Sequence, residues 1–337
     1  MKSPNLTCVL VGCGAIVELQ YVPALQALPN LEVVGLLDPS PDRVAAIRKH
    51  FPNAVALDGL GAARADFAIV ASPSAYHAEQ TLAAFGAGMH VLCEKPMATT
   101  AEEASQMVEA ATAAGRLLVV GLFRRFFPAV RTIRDFVAEG TLGAVKHYRI
   151  AEGGEFNWPA VSKSFFQKER SKGGVLLDLG AHTLDLLCYW FGVPETLTYE
   201  DDADGGLEAS CRARFEHREG VSGELHLSRD WATANRYFIE FERGWLAWRP
   251  GEANRLELGG SGAFAGRMDL CEPSEHWGQP SPGRAALTYH QCFTAQLAQF
   301  ADAIAGGGAP KVTGEDGLVN LRLIERCYSE RKARALP

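Results

Sequence analysis

The sequence predicts an α/β protein with a doubly wound parallel sheet in its first part and an α+β domain with a largely antiparallel, open sheet in its second. Three observations lead to this prediction. Apolar runs alternate with helix-like segments up to residue 122, later strand segments alternate apolar and polar residues, and the chain has 337 residues. At roughly 100–200 residues per domain, this length favours two domains. We place them at 1–122 and 123–337.

Continuous apolar runs in the first part predict buried strands at 6–12, 31–38, 66–72, 89–94 and 117–122. Segments with the spacing of apolar residues that is typical of helices lie between them, at 15–28, 41–51, 75–88 and 99–115. Strands that are apolar throughout must be covered on both faces, and intervening helices supply that cover in a parallel sheet. The first part is therefore predicted to be doubly wound.

The second part has a different pattern. A helix is predicted over 127–139, a strand over 144–151 and a strongly apolar helix over 174–191. Between 195 and 258 the strands alternate and are joined by short polar turns, as in an antiparallel sheet with one solvated face. The Gly/Ser/Pro-rich stretch 259–283 is predicted to be a long loop, and helices are predicted near 287–305 and 314–332.

Composition restricts the possible partners. The chain has 33 Lys and Arg against 40 Asp and Glu, a net charge of −7, without a basic block that could neutralise phosphates, so no nucleic-acid partner is expected. No apolar run reaches about 18 residues, and no cleavage site for secretion is evident near the start, so no membrane partner is expected. The eight cysteines are scattered without zinc-ligand spacing, which favours a cytoplasmic protein without a bound metal.

A glycine turn follows the first predicted strand and precedes a helix, in the residues Gly12, Cys13, Gly14, Ala15 and Ile16. In a dinucleotide-binding domain the first glycine permits the tight turn, and the second lets the backbone approach a pyrophosphate at the helix N-terminus. Val17 stands where the third glycine of that motif is usual. The alternative is a tight strand-to-helix connection without a ligand.

Asp38 lies 24 residues after Gly14, at the end of the second predicted strand. An acidic residue there can accept hydrogen bonds from the ribose hydroxyls of the adenosine and would repel a 2′-phosphate, whereas Ser40 and Arg43 could tolerate one. The sequence therefore favours NAD over NADP. The alternative is that Asp38 only caps the helix that begins at Pro41.

Glu94, Lys95 and Pro96 come directly after a predicted parallel strand, where open α/β sheets bind ligands. The ammonium group of Lys95 could polarise a substrate oxygen. The alternative is a solvated surface lysine.

Asp178, His182 and Asp185 are spaced i, i+4 and i+7 in the apolar helix at 174–191, which puts them on one face. In a functional site His182 would act as a general acid and base with a carboxylate beside it. Two alternatives remain: a buried His–Asp pair in the core, and a divalent metal held by the three side chains.

These features together resemble a known family. The G-x-G turn, the acidic residue after the second strand, "CEKPMATT", "GLFRRFFP", "EGTLG" and the "D-x-G-x-H-x-x-D" helix resemble the Gfo/Idh/MocA family of glucose–fructose oxidoreductases and inositol dehydrogenases. The resemblance implies a Rossmann domain and an NAD(P)-dependent oxidoreductase for a sugar, cyclitol or sugar nucleotide. It implies Lys95, Asp178 and His182 as the catalytic set, and it places Ser72, Pro73, His77 and Glu94 beside the nicotinamide.

The segment before the apolar helix, "EGGEFNWPAVSKSFFQKER", carries stacking and hydrogen-bonding groups suited to a sugar: Glu155, Asn157, Trp158, Lys163, Lys168 and Arg170. Its basic residues could also contact a nucleotide diphosphate, and the alternative is a surface loop or a subunit contact. From this segment we predict Asn157 and Trp158, together with Arg124, as substrate-binding residues.

Two other functions are compatible with these motifs: a cofactor-binding sensor without turnover, and a nicotinamide-dependent glycosidase. The alternating strands also predict a sheet face with exposed aromatic residues at Phe238, Phe241, Trp245 and Trp248. Such a face would be buried against a second copy, so a homodimer or homotetramer is expected.

Overall fold

A computed structural model describes residues 5–157, 159, 167–260, 265–270 and 288–332. The chain forms two compact units. The first unit comprises Met1–Leu122, Trp158–Ala181 and Phe293–Glu325, and the second comprises Phe123–Asn157, His182–Cys292 and Arg326–Pro337. No helix among the described residues is both long and apolar enough to cross a membrane.

The first unit contains a six-stranded parallel sheet, which confirms the predicted architecture. Its strands are β1 (Leu6–Val11), β2 (Leu31–Leu37), β3 (Val55–Ala56), β4 (Phe67–Val70), β5 (His90–Cys93) and β6 (Leu118–Val120), in the order β3-β2-β1-β4-β5-β6. The sequence did not reveal β3 because it is only two residues long and both are exposed. The order reverses at β1, where doubly wound sheets bind ligands at the carboxyl ends of the strands.

The helices between these strands begin and end at residues that favour helix termini. They are α1 (Val22–Gln26), α2 (Pro41–Arg48), α3 (His77–Gly86) and α4 (Ala101–Ala114). The Ser40 hydroxyl accepts a hydrogen bond from the Arg43 backbone N–H and caps α2, which also has Pro41 in its first turn. A left-handed Gly115 ends α4.

The second unit is built on an eight-stranded sheet in the order β14-β13-β12-β11-β7-β10-β9-β8. The strands are β7 (Val145–Gly153), β8 (Thr196–Asp201), β9 (Ser210–Glu216), β10 (Ser222–Ser228), β11 (Arg236–Phe241), β12 (Gly244–Trp248), β13 (Arg255–Gly260) and β14 (Ala265–Asp269). Among the pairs of described strands in this sheet only β7–β10 is parallel, so the prediction of a largely antiparallel sheet is confirmed.

Part of the predicted loop at 259–283 is strand, so that expectation is wrong for residues 259 and 260 of β13 and for β14, while 261–264 and 271–283 lie outside the described residues. The strand β14 is short and mostly exposed, and among the described strands it pairs only with β13. It has no apolar face to bury, and for that reason its sequence resembles a loop.

The remaining helices are α5 (Pro128–Glu139), α6 (Lys168–Ser171), α7 (Val175–Phe191), α8 (Tyr289–Ile304) and α9 (Gly314–Ser329). The last turns of α7 lie in the second unit and pack on the inner face of its sheet. There Phe191 stacks on Tyr148 with ring centroids 4.6 Å apart, and Trp190 meets Tyr237 edge-on at 6.0 Å. Such aromatic pairs add about 0.5–1.5 kcal/mol each beyond their buried area.

Two of the four aromatic residues predicted to be exposed on this sheet are buried instead. Phe241 and Trp248 are 4% and 1% exposed, whereas Phe238 and Trp245 are half-buried and stack on each other at 5.7 Å. In each strand the two aromatic residues are three positions apart, so the alternation of side chains puts them on opposite faces. The exposed face therefore carries one stacked pair, flanked by the guanidinium groups of Arg149 and Arg236.

Candidate active site

The glycine turn after β1 is closed on one side and open on the other. Gly12 has a φ of +90°, and a Cβ there would lie 2.6 Å from the backbone nitrogen of Ser72, so only glycine fits. A Cβ at Gly14 would meet nothing within 4 Å. The backbone is thus open at the second glycine, the position where a pyrophosphate approaches in dinucleotide-binding turns. The residues present fit a dinucleotide.

The third glycine of the usual motif is replaced by Val17, and the structure accommodates it in an uncommon turn. Residues Val17–Tyr21 form a π-helical segment before α1, and Val17 is fully buried. Such wide turns are rare and frequently found at functional sites. The segment brings the Tyr21 hydroxyl to Glu94, to which it donates a hydrogen bond of 2.6 Å.

Asp38 is held against the glycine turn. Its Oδ2 accepts a hydrogen bond of 2.7 Å from the Cys13 backbone N–H, and its Oδ1 accepts one of 2.8 Å from the Ser40 N–H. Ser40, not Asp38, is the N-cap of α2. Burial, and then the Asp38 charge, raise the pKa of the Cys13 thiol to about 12, which leaves the thiol protonated near neutral pH.

Arg43 lies on the same turn. Its Nε donates to the Cys13 carbonyl oxygen at 2.8 Å, and its Nη2 forms an ion pair with Glu18 at 2.7 Å. Of the three residues predicted at the adenosine end of the cofactor, Asp38 and Arg43 both bind Cys13, and Ser40 is bonded to each of these two. The sequence did not reveal Glu18, because it precedes Arg43 by 25 residues and nothing local marks it.

His77 joins two loops at the carboxyl edge of the sheet. Its Nε2 lies 2.7 Å from the Ser72 carbonyl oxygen and its Nδ1 lies 2.9 Å from the Pro96 carbonyl oxygen. Burial lowers the pKa of His77, and the two carbonyl partners oppose this shift because a carbonyl only accepts hydrogen bonds. Both ring nitrogens are thus used to connect the loop at Ser72 and Pro73 to the loop at Lys95 and Pro96.

Glu94 is buried beneath this edge. Burial raises its pKa, and the Tyr21 hydroxyl and the Lys95 charge act in the opposite direction. Its carboxylate also fills the space in front of Gly121, where a Cβ would lie 2.8 Å from it.

Lys95 is fixed by the first turn of α7. Its Nζ donates to Asp178 Oδ1 at 2.8 Å and to the Asp178 carbonyl oxygen at 3.1 Å. The two side chains are 19% and 16% exposed. Lys95 and Asp178, two members of the predicted catalytic set, therefore lie together within the first unit as a mostly buried ion pair with one edge open to solvent.

His182 follows Asp178 by four residues on α7 and lies in the second unit. It is 7% exposed, and the Phe123 ring meets its imidazole edge-on with centroids 5.2 Å apart. Asp185, the third polar residue of this helix, accepts hydrogen bonds from Arg125 Nε at 3.0 and 3.1 Å and from Nη2 at 2.5 Å. The two carboxylates of the predicted metal set, Asp178 and Asp185, thus pair with two different side chains, Lys95 and Arg125. No group of three metal-ligating side chains occurs in the described ranges.

Arg124 is a buried member of a polar network in the second unit. It makes a two-pronged contact with the carboxylate of Glu152 at 2.7 and 2.8 Å, and the Tyr237 hydroxyl donates to the same carboxylate at 2.6 Å. Burial acts to raise the pKa of Glu152, but the nearby arginine charges and the hydrogen bonds from Arg124 and Tyr237 together outweigh it and hold that pKa below its ordinary value. The contribution of Arg124 to substrate binding stays a prediction. The sequence did not reveal Glu152 or Tyr237 as partners of Arg124. The one local signal was that two adjacent arginines lie between phenylalanines, because arginines buried in such a segment need acidic partners.

The segment before α7 is described only in part. Asn157 and Glu155 are exposed, and Lys168 begins α6. Trp158, Lys163 and the side chain of Arg170 lie outside the described residues. The predicted sugar contacts of this segment therefore stay predictions.

The fold and this site together define an oxidoreductase with an NAD-binding Rossmann domain, and two family profiles agree. The oxidoreductase family with an NAD-binding Rossmann fold (GFO_IDH_MocA) matches residues 6–122, and the GFO/IDH/MocA C-terminal domain matches residues 130–247. The chain belongs to the Gfo/Idh/MocA family, as the resemblance predicted. It is an NAD(P)-binding oxidoreductase.

Similar proteins have related activities. The scyllo-inositol 2-dehydrogenase (NADP(+)) IolW of Bacillus subtilis is 28% identical over 96% of this chain and 93% of its own. The D-glucoside 3-dehydrogenase of Escherichia coli is 31% identical over 74% of this chain and 70% of its own. Among solved structures, an oxidoreductase domain protein from Kribbella flavida has a TM-score of 0.85 at 26% identity, with 97% of each chain covered.

The openness at Gly14 gives a testable prediction. Exchanging Gly14 for Ala should weaken NADH binding by about tenfold or more, because the added methyl group occupies the approach of the pyrophosphate. The midpoint of thermal unfolding should stay unchanged, since the methyl group meets no protein atom. Fluorescence titration and thermal unfolding measure the two quantities. Gly59→Ala, at another position with nothing within 4 Å, is the control. Unchanged NADH binding in the Gly14 variant would contradict the assignment of this turn.

Proposed function

We propose that this protein transfers hydride between a nicotinamide cofactor and a secondary hydroxyl or ketone of a sugar, cyclitol or sugar nucleotide. The observation that carries the proposal is the Lys95–Asp178 ion pair, which fixes an ammonium group at the end of β5 by a helix that also bears His182. The relatives from Bacillus and Escherichia are an inositol dehydrogenase and a glucoside dehydrogenase, which supports a polyhydroxylated ring as the substrate class.

Each residue of the set has a distinct role in this proposal. In the oxidative direction His182 Nε2 or Nδ1 takes the proton of the hydroxyl, and in the reductive direction it returns one. Lys95 stabilises the negative charge that develops on the substrate oxygen. Asp178 receives two of the three ammonium N–H groups of Lys95, which leaves the third for that oxygen and keeps the ammonium in place.

The cofactor, when bound, supplies the hydride acceptor or donor. The chain's contribution is to bind it and to orient the substrate. Gly12 and Gly14 form the turn for the pyrophosphate, with Cys13, Ala15 and Ile16 as its other members. Ser72, Pro73, His77 and Glu94 line the nicotinamide end in this proposal. His77 and Glu94 are buried, so they act mainly by holding the loops in place.

The catalytic roles predict a loss of turnover without a loss of cofactor binding. His182→Asn removes a titrating group, and general acid–base catalysis is worth about 10²–10⁴-fold. Lys95→Met should lower turnover by about 10²–10³-fold, the range seen when one donor to a developing oxyanion is removed. The assay is the nicotinamide absorbance change with a panel of sugars, inositols, sugar nucleotides and a synthetic glycoside.

The matched control is His226→Asn, which makes the same substitution at a histidine of the second sheet that does not belong to the proposed catalytic set. Wild-type turnover in both the His182 and the Lys95 variants across pH 6–9 would contradict the mechanism. The panel also separates the alternatives: cleavage of the glycoside would indicate a nicotinamide-dependent glycosidase, and cofactor binding without turnover of any member would indicate a sensor.

We also propose NAD as the preferred cofactor. The support is the Asp38 carboxylate, which two backbone N–H groups hold beside the glycine turn and which would repel a 2′-phosphate bound there. The Bacillus relative is named for NADP(+), so the preference needs a direct test. Fluorescence titration should give a dissociation constant for NADH at least about tenfold below that for NADPH. Tenfold tighter binding of NADPH would overturn the preference.

We assign cofactor binding to residues 1–122 and substrate binding and assembly to residues 123–337, with the segment Phe293–Glu325 returning to the first compact unit. A cytoplasmic location is part of the same proposal, and the buried thiols of Cys8, Cys93 and Cys211 are what supports it.

The proposed assembly is a homodimer or homotetramer that covers the stacked Phe238–Trp245 pair. Light scattering at micromolar concentration should then give about two or four times the 36.4 kDa of the chain. Trp245→Arg should lower the measured mass, because it puts a charge in the proposed contact. Trp231→Arg, at a tryptophan outside the pair, should not. A single species of one chain mass in the wild type would contradict the proposal.

A further inference from the structure

We propose that Glu18 is a second determinant of cofactor choice, which acts by holding Arg43 away from a 2′-phosphate. The inference rests on the proposed NAD preference and extends it to a residue outside the end of β2. Glu18 does not need to touch the cofactor. It is a specificity residue that works through Arg43.

The contacts of Arg43 carry the first step. This side chain and the Asp38 carboxylate bind the same residue of the glycine turn: Asp38 accepts from the Cys13 N–H, and Arg43 Nε donates to the Cys13 carbonyl oxygen. Arg43 also belongs to α2, whose cap is Ser40. A serine hydroxyl and a guanidinium beside the end of β2 are the donors that a 2′-phosphate requires.

The second observation is the ion pair that Arg43 forms with Glu18. The Nη2 of Arg43 is paired with Glu18 Oε2 at 2.7 Å and its Nε with the Cys13 carbonyl oxygen at 2.8 Å, so the Nε–Nη2 edge of the guanidinium, an edge that could form a fork with a phosphate, is already bound. Glu18 is set in place by the glycine turn itself, because its backbone N–H donates to the Gly14 carbonyl oxygen at 3.1 Å. The pair is therefore built from the same turn that takes the cofactor.

The local charge carries the third step. Asp38, Glu18 and Arg43 together have a net charge of −1, and a 2′-phosphate brings up to about −2 more. Replacing Glu18 with a neutral side chain makes the group neutral and releases the guanidinium. The side chains of Arg43 and Glu18 are 21% and 45% exposed, so solvent weakens the pair and a moderate effect is expected.

The test is a set of binding titrations with NADH and NADPH, which require no substrate or turnover. In Glu18→Gln we expect NADPH to bind about tenfold more tightly than in the wild type, equivalent to about 1.4 kcal/mol, with NADH binding changed less than about twofold. Glu18→Ala serves the same purpose without an amide that could keep a neutral hydrogen bond to Arg43. Thermal unfolding of each variant shows that the fold is kept.

Two further variants decide whether the effect passes through Arg43. In an Arg43→Ala background, Glu18→Gln should change NADPH binding less than about twofold, because no guanidinium remains to be released. Asp42→Asn is the control, because it removes one negative charge from the residue that precedes Arg43. Asp42 has no contact with the Arg43 guanidinium in the described structure, so this variant should leave the ratio of the NADPH and NADH dissociation constants unchanged.

Three results would overturn the inference: an unchanged ratio in both Glu18 variants, an equal gain in the Arg43→Ala background, or an equal gain in Asp42→Asn, which would indicate a general field effect. None of these depends on which cofactor the wild type prefers. A wild type that prefers NADPH would refute the proposed NAD preference, while the shift caused by Glu18→Gln would still be measured.

Discussion

A charged amine that is mostly withdrawn from water must have a fixed anion beside it, and this requirement organises the centre of the first unit. Lys95 stands at the end of β5, and the only anion bonded to its ammonium group among the described residues is Asp178, at the start of α7. Removing one partner of a buried pair typically costs about 3–5 kcal/mol, so the strand edge and the helix are linked by a strong constraint. The loops around Lys95 are built on that link, with Glu94 beneath it and His77 beside it.

The second unit meets the same requirement with two pairs instead of one. Arg124 and Arg125 are adjacent in sequence, yet their side chains reach different acids, Glu152 on β7 and Asp185 on α7. All four side chains are less than 10% exposed. Forked contacts of guanidinium and carboxylate fix direction as well as distance, so Arg125 sets the rotation of the α7 segment that carries His182, while Arg124 is fixed to β7. The Phe123 ring packs edge-on against the imidazole of this histidine.

Much of this could be predicted from the sequence, and the parts that could not share a physical cause. The apolar runs located β1, β2, β4, β5 and β6 because burial on both faces leaves a local signature. The exposed strands β3 and β14 leave none. Likewise Lys95, Asp178 and His182 could be named from their motifs, but the partners Glu18, Glu152 and Tyr237 could not, because a pairing across tens of residues is set by the tertiary fold. The error at Phe241 and Trp248 was of another kind: strand alternation was available in the sequence and predicts opposite faces for residues three apart.

The bridge made by His77 has a consequence for how this edge of the sheet can vary. Its two partners are carbonyl oxygens of the main chain, at Ser72 and Pro96, and not side chains. Every amino acid offers the same carbonyl, so the bridge itself does not require a particular side chain at either end. The side chains that the two loops present to a ligand can therefore be substituted while the His77 imidazole keeps the loops at the same spacing. The spacing of the two loops therefore depends on His77 and the main chain, whereas ligand specificity depends on the side chains of the loops.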